Sequence, residues 1–186
     1  PSRSDPPPLS PTAPDRIAGL ARGRLIHRLL QTLPELPPDE RKKAATRFLA
    51  LPAHGLSGAQ QAEIAREVLT VLQEPSFAAV FQPGAQVEAP LAGRLGERLV
   101  VGQVDRLIVN DDAILVVDYK TNRPPPSRAE EIDPAYLEQM ALYRGLLQQI
   151  FPGRPVHAAL LWTYAPRLMP LSSSLLDRAL GAFTAT

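Results

Sequence analysis

The sequence predicts a mixed α/β domain. Three observations carry that reading. Apolar residues recur with helical spacing up to about residue 74, composition turns β-like between residues 84 and 120, and an amphipathic helix followed by an apolar strand comes after residue 134. With 186 residues, 45% of them hydrophobic, the chain is long enough to bury one core.

The elements follow in order. Residues 1–14 contain six Pro among Ser, Thr, Asp and Arg, a composition that holds neither a helix nor a core, so they read as a linker preceding a domain over 15–186. The chain starts at Pro1 with no initiator Met, which reads as a piece cut from a longer polypeptide. Asp15 is a plausible N-cap for a first helix whose apolar stripe is Ile17, Leu20, Ala21, Leu25, Leu29 and Leu33. Arg24, His27, Arg28 and Gln31 form its polar stripe, and Gly23 marks either its true start or a close approach. Pro37-Pro38-Asp39 opens a second helix over 38–51, Ser57 caps a third over 57–74, and Phe77 to Phe81 is a short apolar turn. Strands are expected at 84–92 and 97–109, joined by a turn from Gly93 to Gly96, and at 113–120 after Asn110-Asp111-Asp112. Pro124-Pro125-Pro126 ends that region. A helix over 134–151, a strand over 155–164 and a helix over 173–183 complete an antiparallel meander followed by a crossover helix.

Composition removes several function classes. The chain has no Cys, which excludes disulfide scaffolds, cysteine zinc sites, thiol nucleophiles and iron–sulfur clusters. No run of about 18 apolar residues exists to span a membrane, and no charged-then-apolar leader is present. A net charge of +1 is too small to argue for nucleic acid by itself. Only Lys42, Lys43 and Lys120 are lysines; Arg supplies the rest of the 20 basic residues.

The chemistry lies in the 97–120 hairpin. A two-residue loop at Asp111-Asp112 places Asp105 opposite Asp118, with Cβ atoms about 4.5–5.5 Å apart on one face. Two like charges there destabilise a sheet unless a divalent cation lies between them, and Mg²⁺ suits such a pair together with phosphate oxygens. Period two puts Lys120 on the face of Asp118 and Tyr119 on the other. The stretch Ile114-Leu115-Val116-Val117 is apolar on both faces, so this strand is buried and its polar end opens onto a cleft. The plain alternative is a solvated pair of charges at a strand end.

Gly102-Gln103-Val104-Asp105-Arg106 and Val116-Val117-Asp118-Tyr119-Lys120-Thr121-Asn122 resemble motifs of the PD-(D/E)XK nuclease superfamily, in its RecB-like branch. Gly23 to His27 matches that branch's G-x-x-x-H helix, and Gln139 to Tyr143 its Q-x-x-x-Y helix; the four motifs occur in order. The resemblance implies a restriction-endonuclease-like core, a central mixed sheet flanked by helices, and Mg²⁺-dependent DNA cleavage, with Mn²⁺ possible. It implies Asp105, Asp118 and Lys120 as catalytic residues, and His27, Asp105, Asp118 and the Tyr119 carbonyl as metal ligands. It also suggests Glu88, Gln139, Tyr143, Arg24 and Arg28 as supporting or DNA-contacting residues. For His27 and the two Arg a solvated helix face is the plain alternative, and for Gln139 and Tyr143 an ordinary amphipathic helix with buried Leu142, Leu146 and Leu147. His54 and His157 match no motif and read as structural.

Within the branch, the lack of Cys excludes the iron–sulfur subtype. The chain is most similar to the C-terminal nuclease domain of an AddA-type helicase–nuclease. That implies an upstream helicase motor on the same chain, an AddB-type partner, a cytoplasmic setting and a role in double-strand break repair, with no membrane association. Two other classes remain open: an inactive nuclease-fold module that binds DNA or a partner, and an unrelated α/β interaction domain.

Overall fold

Asn110 and Ala113 bracket a two-residue loop, the Asn110 N–H donating to the Ala113 carbonyl at 3.0 Å. The loop joins β2 (Arg98–Val109) to β3 (Ile114–Lys120) in the expected register: Val109 faces Ile114, Ile108 Leu115, Leu107 Val116 and Arg106 Val117. On its other side β2 pairs antiparallel with β1 (Gln86–Leu95). The computed structural model describes the backbone of residues 13–184 and the side chains of 19–183, so the linker assigned to 1–14 lies almost wholly outside the described residues.

After β3 the chain forms α4 (Pro134–Ile150) and returns as β4 (Val156–Trp162), which runs parallel to β3 with Lys120 beside Trp162. Asp133 caps α4 by accepting from the Ala135 N–H at 2.8 Å, and Pro134 occupies the first helical position, where its missing N–H costs nothing. The sheet has five strands in the order β1-β2-β3-β4-β5. The fifth, β5 (Arg167–Leu171), is absent from the sequence reading, which ran one strand to residue 164. Pro166 and Pro170 disguise it, yet β5 is the last strand in the order, and an edge strand tolerates Pro. The first hairpin also differs. Gly93 lies within β1, its Cα facing Leu146, and the turn falls at Gly96, whose φ of +59° suits glycine.

Helices cover both faces. Against one pack α1 (Ala13–Thr32), α2 (Pro38–Leu49) and α3 (Gly58–Gln73), their core formed by Ile26, Leu30, Leu49, Val68 and Val71 with Val117, Tyr119 and Leu161 of the sheet. Against the other pack α4 and α5 (Ser173–Thr184), around Met140, Leu146, Val116, Leu160 and Leu176. Ser57 and Gln60 form a reciprocal capping box at the start of α3. The buried face of α1 is Gly23, Ile26, Leu29, Leu30 and Leu33, rotated from the expected stripe, and Ala21 is exposed. The rotation follows from Gly23: a Cβ there would stand 3.1 Å from Thr121 Oγ1, so α1 turns its smallest residue to the end of β3. Among the described residues no helix is long and apolar enough to cross a membrane.

Candidate active site

Strands β2 and β3 stop pairing at Arg106 and Val117, one residue before Asp105 and Asp118. The Asp105 carboxylate fills the opening: Oδ2 accepts the Tyr119 N–H at 2.7 Å, and Oδ1 lies 3.2 Å from His27 Nδ1 on α1. Here the structure corrects the simple alternation. Val104 and Leu107, three apart, both belong to the core beneath α4, whereas Asp105 and Arg106, consecutive, both reach α1. Asp105 therefore does not share one flat face with Asp118. It turns across the gap between strands. The cause lies next door: Glu88, level with Asp105 on β1, has φ +50°, a left-handed backbone rarely adopted by a non-glycine residue, and it interrupts the pairs Val87 with Arg106 and Ala89 with Val104.

Asp118 and Lys120 do share a face. Lys120 Nζ lies 2.6 Å from Asp118 Oδ2, and the two residues are 2% and 4% exposed. The ammonium also meets Gln139 Oε1 at 3.2 Å and the Tyr136 ring, 3.8 Å from its centroid. Both partners stand on α4. Tyr119 points the other way, into the α1–α3 core, where burial pushes its hydroxyl pKa far up, against the opposing pull of Arg106.

The two helix residues of the fourth motif are brought to the site. Gln139 Nε2 donates to the Tyr143 hydroxyl at 3.2 Å, which donates to the Gln103 carbonyl at 3.0 Å, and Gln103 Nε2 donates to the Glu88 carbonyl at 3.1 Å. The Glu88 carboxylate accepts from the Gln31 side chain. Burial raises the Glu88 pKa, and the nearby Asp105 charge adds to it. A chain of contacts thus runs from Lys120 through α4 and β2 to Glu88 and α1. Arg28 is exposed and reaches Gln31 Oε1 at 3.5 Å; Arg24 is exposed on the same helix. His54 packs on Phe48 and His157 is exposed.

Gly102 makes room for this chain. A Cβ on Gly102 would lie 2.5 Å from Tyr143 Cε1 and 2.6 Å from its hydroxyl oxygen, so Gly102→Ala must displace a hydrogen-bonded ring. We expect it to cost about 1–3 kcal/mol, lowering Tm by on the order of 5 °C, and to be less than additive with Tyr143→Ala in thermal denaturation. Full additivity would refute the clash.

The sequence reading missed Glu67 on α3. It is buried, and Oε1 accepts the Thr163 hydroxyl at 2.5 Å, while Oε2 pairs with Arg123 Nη2 at 2.8 Å and with the Arg22 guanidinium. Glu67 and Thr163 are 96 residues apart, and no local pattern marks the pair. Burial raises the Glu67 pKa against the opposing Thr163 hydrogen bond and Arg22 charge. The folded state then holds the proton more tightly than the unfolded, so ionisation costs stability above the folded pKa. That cost fades as pH falls toward the ordinary value of about 4.3. Wild-type Tm minus Glu67→Gln Tm is expected to grow as pH is lowered from neutral through that window; a shrinking difference would contradict the sign.

The residues fit a hard divalent cation. One imidazole, two carboxylates and a main-chain carbonyl are available on converging elements. His27 Nδ1 and Asp105 Oδ1, at 3.2 Å, are spaced close to the roughly 3 Å between neighbouring ligands of an octahedral ion with bonds of about 2.1 Å. Among the described residues no group of three His, Asp or Glu side chains is already gathered as a cage, since Asp118 turns to Lys120 and Asp105 to Tyr119.

Comparisons with known proteins agree with this geometry. The AddA-type ATP-dependent helicase/nuclease subunit of Pelotomaculum thermopropionicum is 31% identical over 123 residues, 64% of this chain and 10% of that protein. Its counterpart from Moorella thermoacetica, of the same description, is 32% identical over 143 residues, 76% of this chain and 9% of its own length. The chain thus spans about a tenth of these curated relatives. A solved structure titled "Crystal structure of SSO0001" aligns over 91% of this chain and 86% of its own at 14% identity, with a TM-score of 0.34, too low to bear on the fold. The family description "PD-(D/E)XK nuclease superfamily" matches residues 8–174, a span that takes in all four motifs and every residue of the Asp105–Asp118–Lys120 opening, and the chain belongs to that superfamily.

Proposed function

We propose that this chain is a divalent-metal-dependent DNA nuclease module that hydrolyses phosphodiester bonds. The observation that supports this most is the convergence of Asp105, Asp118 and a buried Lys120 where β2 and β3 part. His27, Asp105, Asp118 and the Tyr119 carbonyl would hold the ion. When bound, Mg²⁺ or Mn²⁺ supplies charge neutralisation at the scissile phosphate and an acidified water. Lys120 is fixed between Asp118, Gln139 and Tyr136, so its N–H bonds are already aimed when charge builds on the phosphate oxygens, and little reorganisation is needed. Its compact charge suits a tight site better than a planar guanidinium. His27 orients Asp105 through Nδ1, and Glu88 supports β2 from the neighbouring strand. Arg24 and Arg28, exposed on α1, would contact the DNA backbone.

We further infer that the module serves a helicase–nuclease as an exonuclease in recombinational break repair, in the cytoplasm and beside an AddB-type partner. The names of its relatives support that setting. The test is cleavage of labelled single-stranded and duplex DNA by the chain. Mg²⁺ or Mn²⁺ should support it and EDTA should stop it; cleavage unaffected by EDTA would overturn the mechanism. Metal-dependent DNA binding without cleavage, on all substrates and with the motor supplied, would favour the inactive module.

A further inference from the structure

Just past the catalytic lysine, two strand ends present an aromatic ring to solvent. Tyr164 follows β4 and is 50% exposed, an unusual position for a large ring. The Arg123 guanidinium lies against it, 4.3 Å from the ring centroid. The parallel register of Lys120 with Trp162, continued by the Thr163 N–H donating to the Lys120 carbonyl at 3.0 Å, carries both residues to the same level beyond the site. Three residues at roughly 3.3 Å each separate Lys120 from Arg123, about 10 Å along the strand, comparable with three stacked nucleotides at about 3.4 Å each.

The pair is held in place. Glu67 grips Thr163, next to Tyr164, through one oxygen and Arg123 through the other. The same carboxylate binds Arg22, which remains 20% exposed on its side chain, while Arg123 remains 33% exposed. Exposed Glu63 reaches both guanidiniums, Arg123 Nη1 at 2.6 Å and Arg22 Nη2 at 3.9 Å. A buried carboxylate thus fixes one exposed ring and two exposed guanidinium edges at the mouth of the site. Next to them, Pro125, Pro126, Ala165, Pro166 and Arg167 line a surface recess. Single-stranded nucleic acid is bound by this combination of a ring for base stacking and cations along the backbone, and duplex DNA, its bases already stacked, gains nothing from the ring.

We propose that Tyr164, backed by Arg123, is a stacking platform for a base of the single strand entering or leaving the active site, with Arg22 flanking the backbone. This rests on the DNA nuclease reading and specifies its substrate as single-stranded near the site. The test is anisotropy of a fluorescent single-stranded oligonucleotide bound by the chain with divalent ions withheld, so that binding is read without cleavage. Tyr164→Ala should weaken binding roughly tenfold, and Tyr164→Phe and Tyr164→Trp should keep it. An abasic nucleotide moved along the oligonucleotide should weaken wild-type binding at one position and leave the Tyr164→Ala variant indifferent there. Equal affinity of wild type and Tyr164→Ala, the same abasic profile in both, or no binding by the wild type would each overturn the platform; equal affinity would point the ring to a protein contact instead. Cleavage by an Asp118 variant judges the nuclease reading separately, so the two can fail independently.

Discussion

Asp118→Asn is expected to reduce DNA cleavage by roughly 10³-fold or more, because it removes a negative ligand from the centre that neutralises the phosphate. The change is nearly isosteric, yet it should also destabilise the fold. Lys120 is 2% exposed and its ammonium has the Asp118 carboxylate at 2.6 Å, so the variant strands a buried positive charge. Removing one partner of a buried pair costs about 3–5 kcal/mol, which for a domain of this size lowers Tm by on the order of 10 °C. Loss of activity by itself would therefore be ambiguous between chemistry and unfolding. Lys120→Met in the Asp118→Asn background separates them. With both charges gone, stability should return toward wild type, since an apolar replacement of a buried pair is often neutral, while cleavage stays absent. Thermal denaturation and a cleavage assay on the same three proteins decide it. Wild-type cleavage by Asp118→Asn would remove Asp118 from the mechanism.

Much of the sheet was legible because its determinants are local. Asn110-Asp111-Asp112 sets a two-residue loop, the loop sets the register, and the apolar run from Ile114 to Val117 marks a central strand. Asp118 and Lys120 then fall on one face by period two alone. Asp105 did not follow, since its turn depends on the backbone of Glu88 in another strand, which sequence spacing does not encode. Glu67 was invisible for a related reason. It sits among ordinary helix residues, and only the packing of α3 against the ends of β3 and β4 gives it Arg123 and Thr163 as partners. The face of α1 was misjudged because Leu20, Ala21 and Leu25 satisfy a helical stripe as well as Ile26 and Leu30 do; contact between Gly23 and Thr121 selects one.

Arg106 belongs to the same motif as Asp105, and its burial gives it a structural task. The side chain is 0% exposed. Its Nε donates to the Val80 carbonyl at 2.8 Å, Nη1 reaches the Leu30 carbonyl at 3.5 Å, and its guanidinium lies over the Phe81 ring. Leu30 is in the last turn of α1, where the helix dipole favours a cation. Arg106 thus ties β2 to the end of the helix that carries His27, one residue after Asp105. Arg106→Ala would remove a buried cation's hydrogen bonds and leave a cavity in the α1–α3 core, a loss of about 3–5 kcal/mol and a Tm fall on the order of 10 °C. Arg106→Met fills most of the volume without the donors and should recover only part. If the two variants were equally stable, packing would be excluded as a contributor; if both melted with wild type, the tie itself would be refuted. Because α1 and β2 are held together here, the Ala variant should also loosen His27 from Asp105. Its cleavage measured well below its lowered Tm should therefore still fall short of wild type, whereas recovery of full cleavage in that range would confine Arg106 to stability alone.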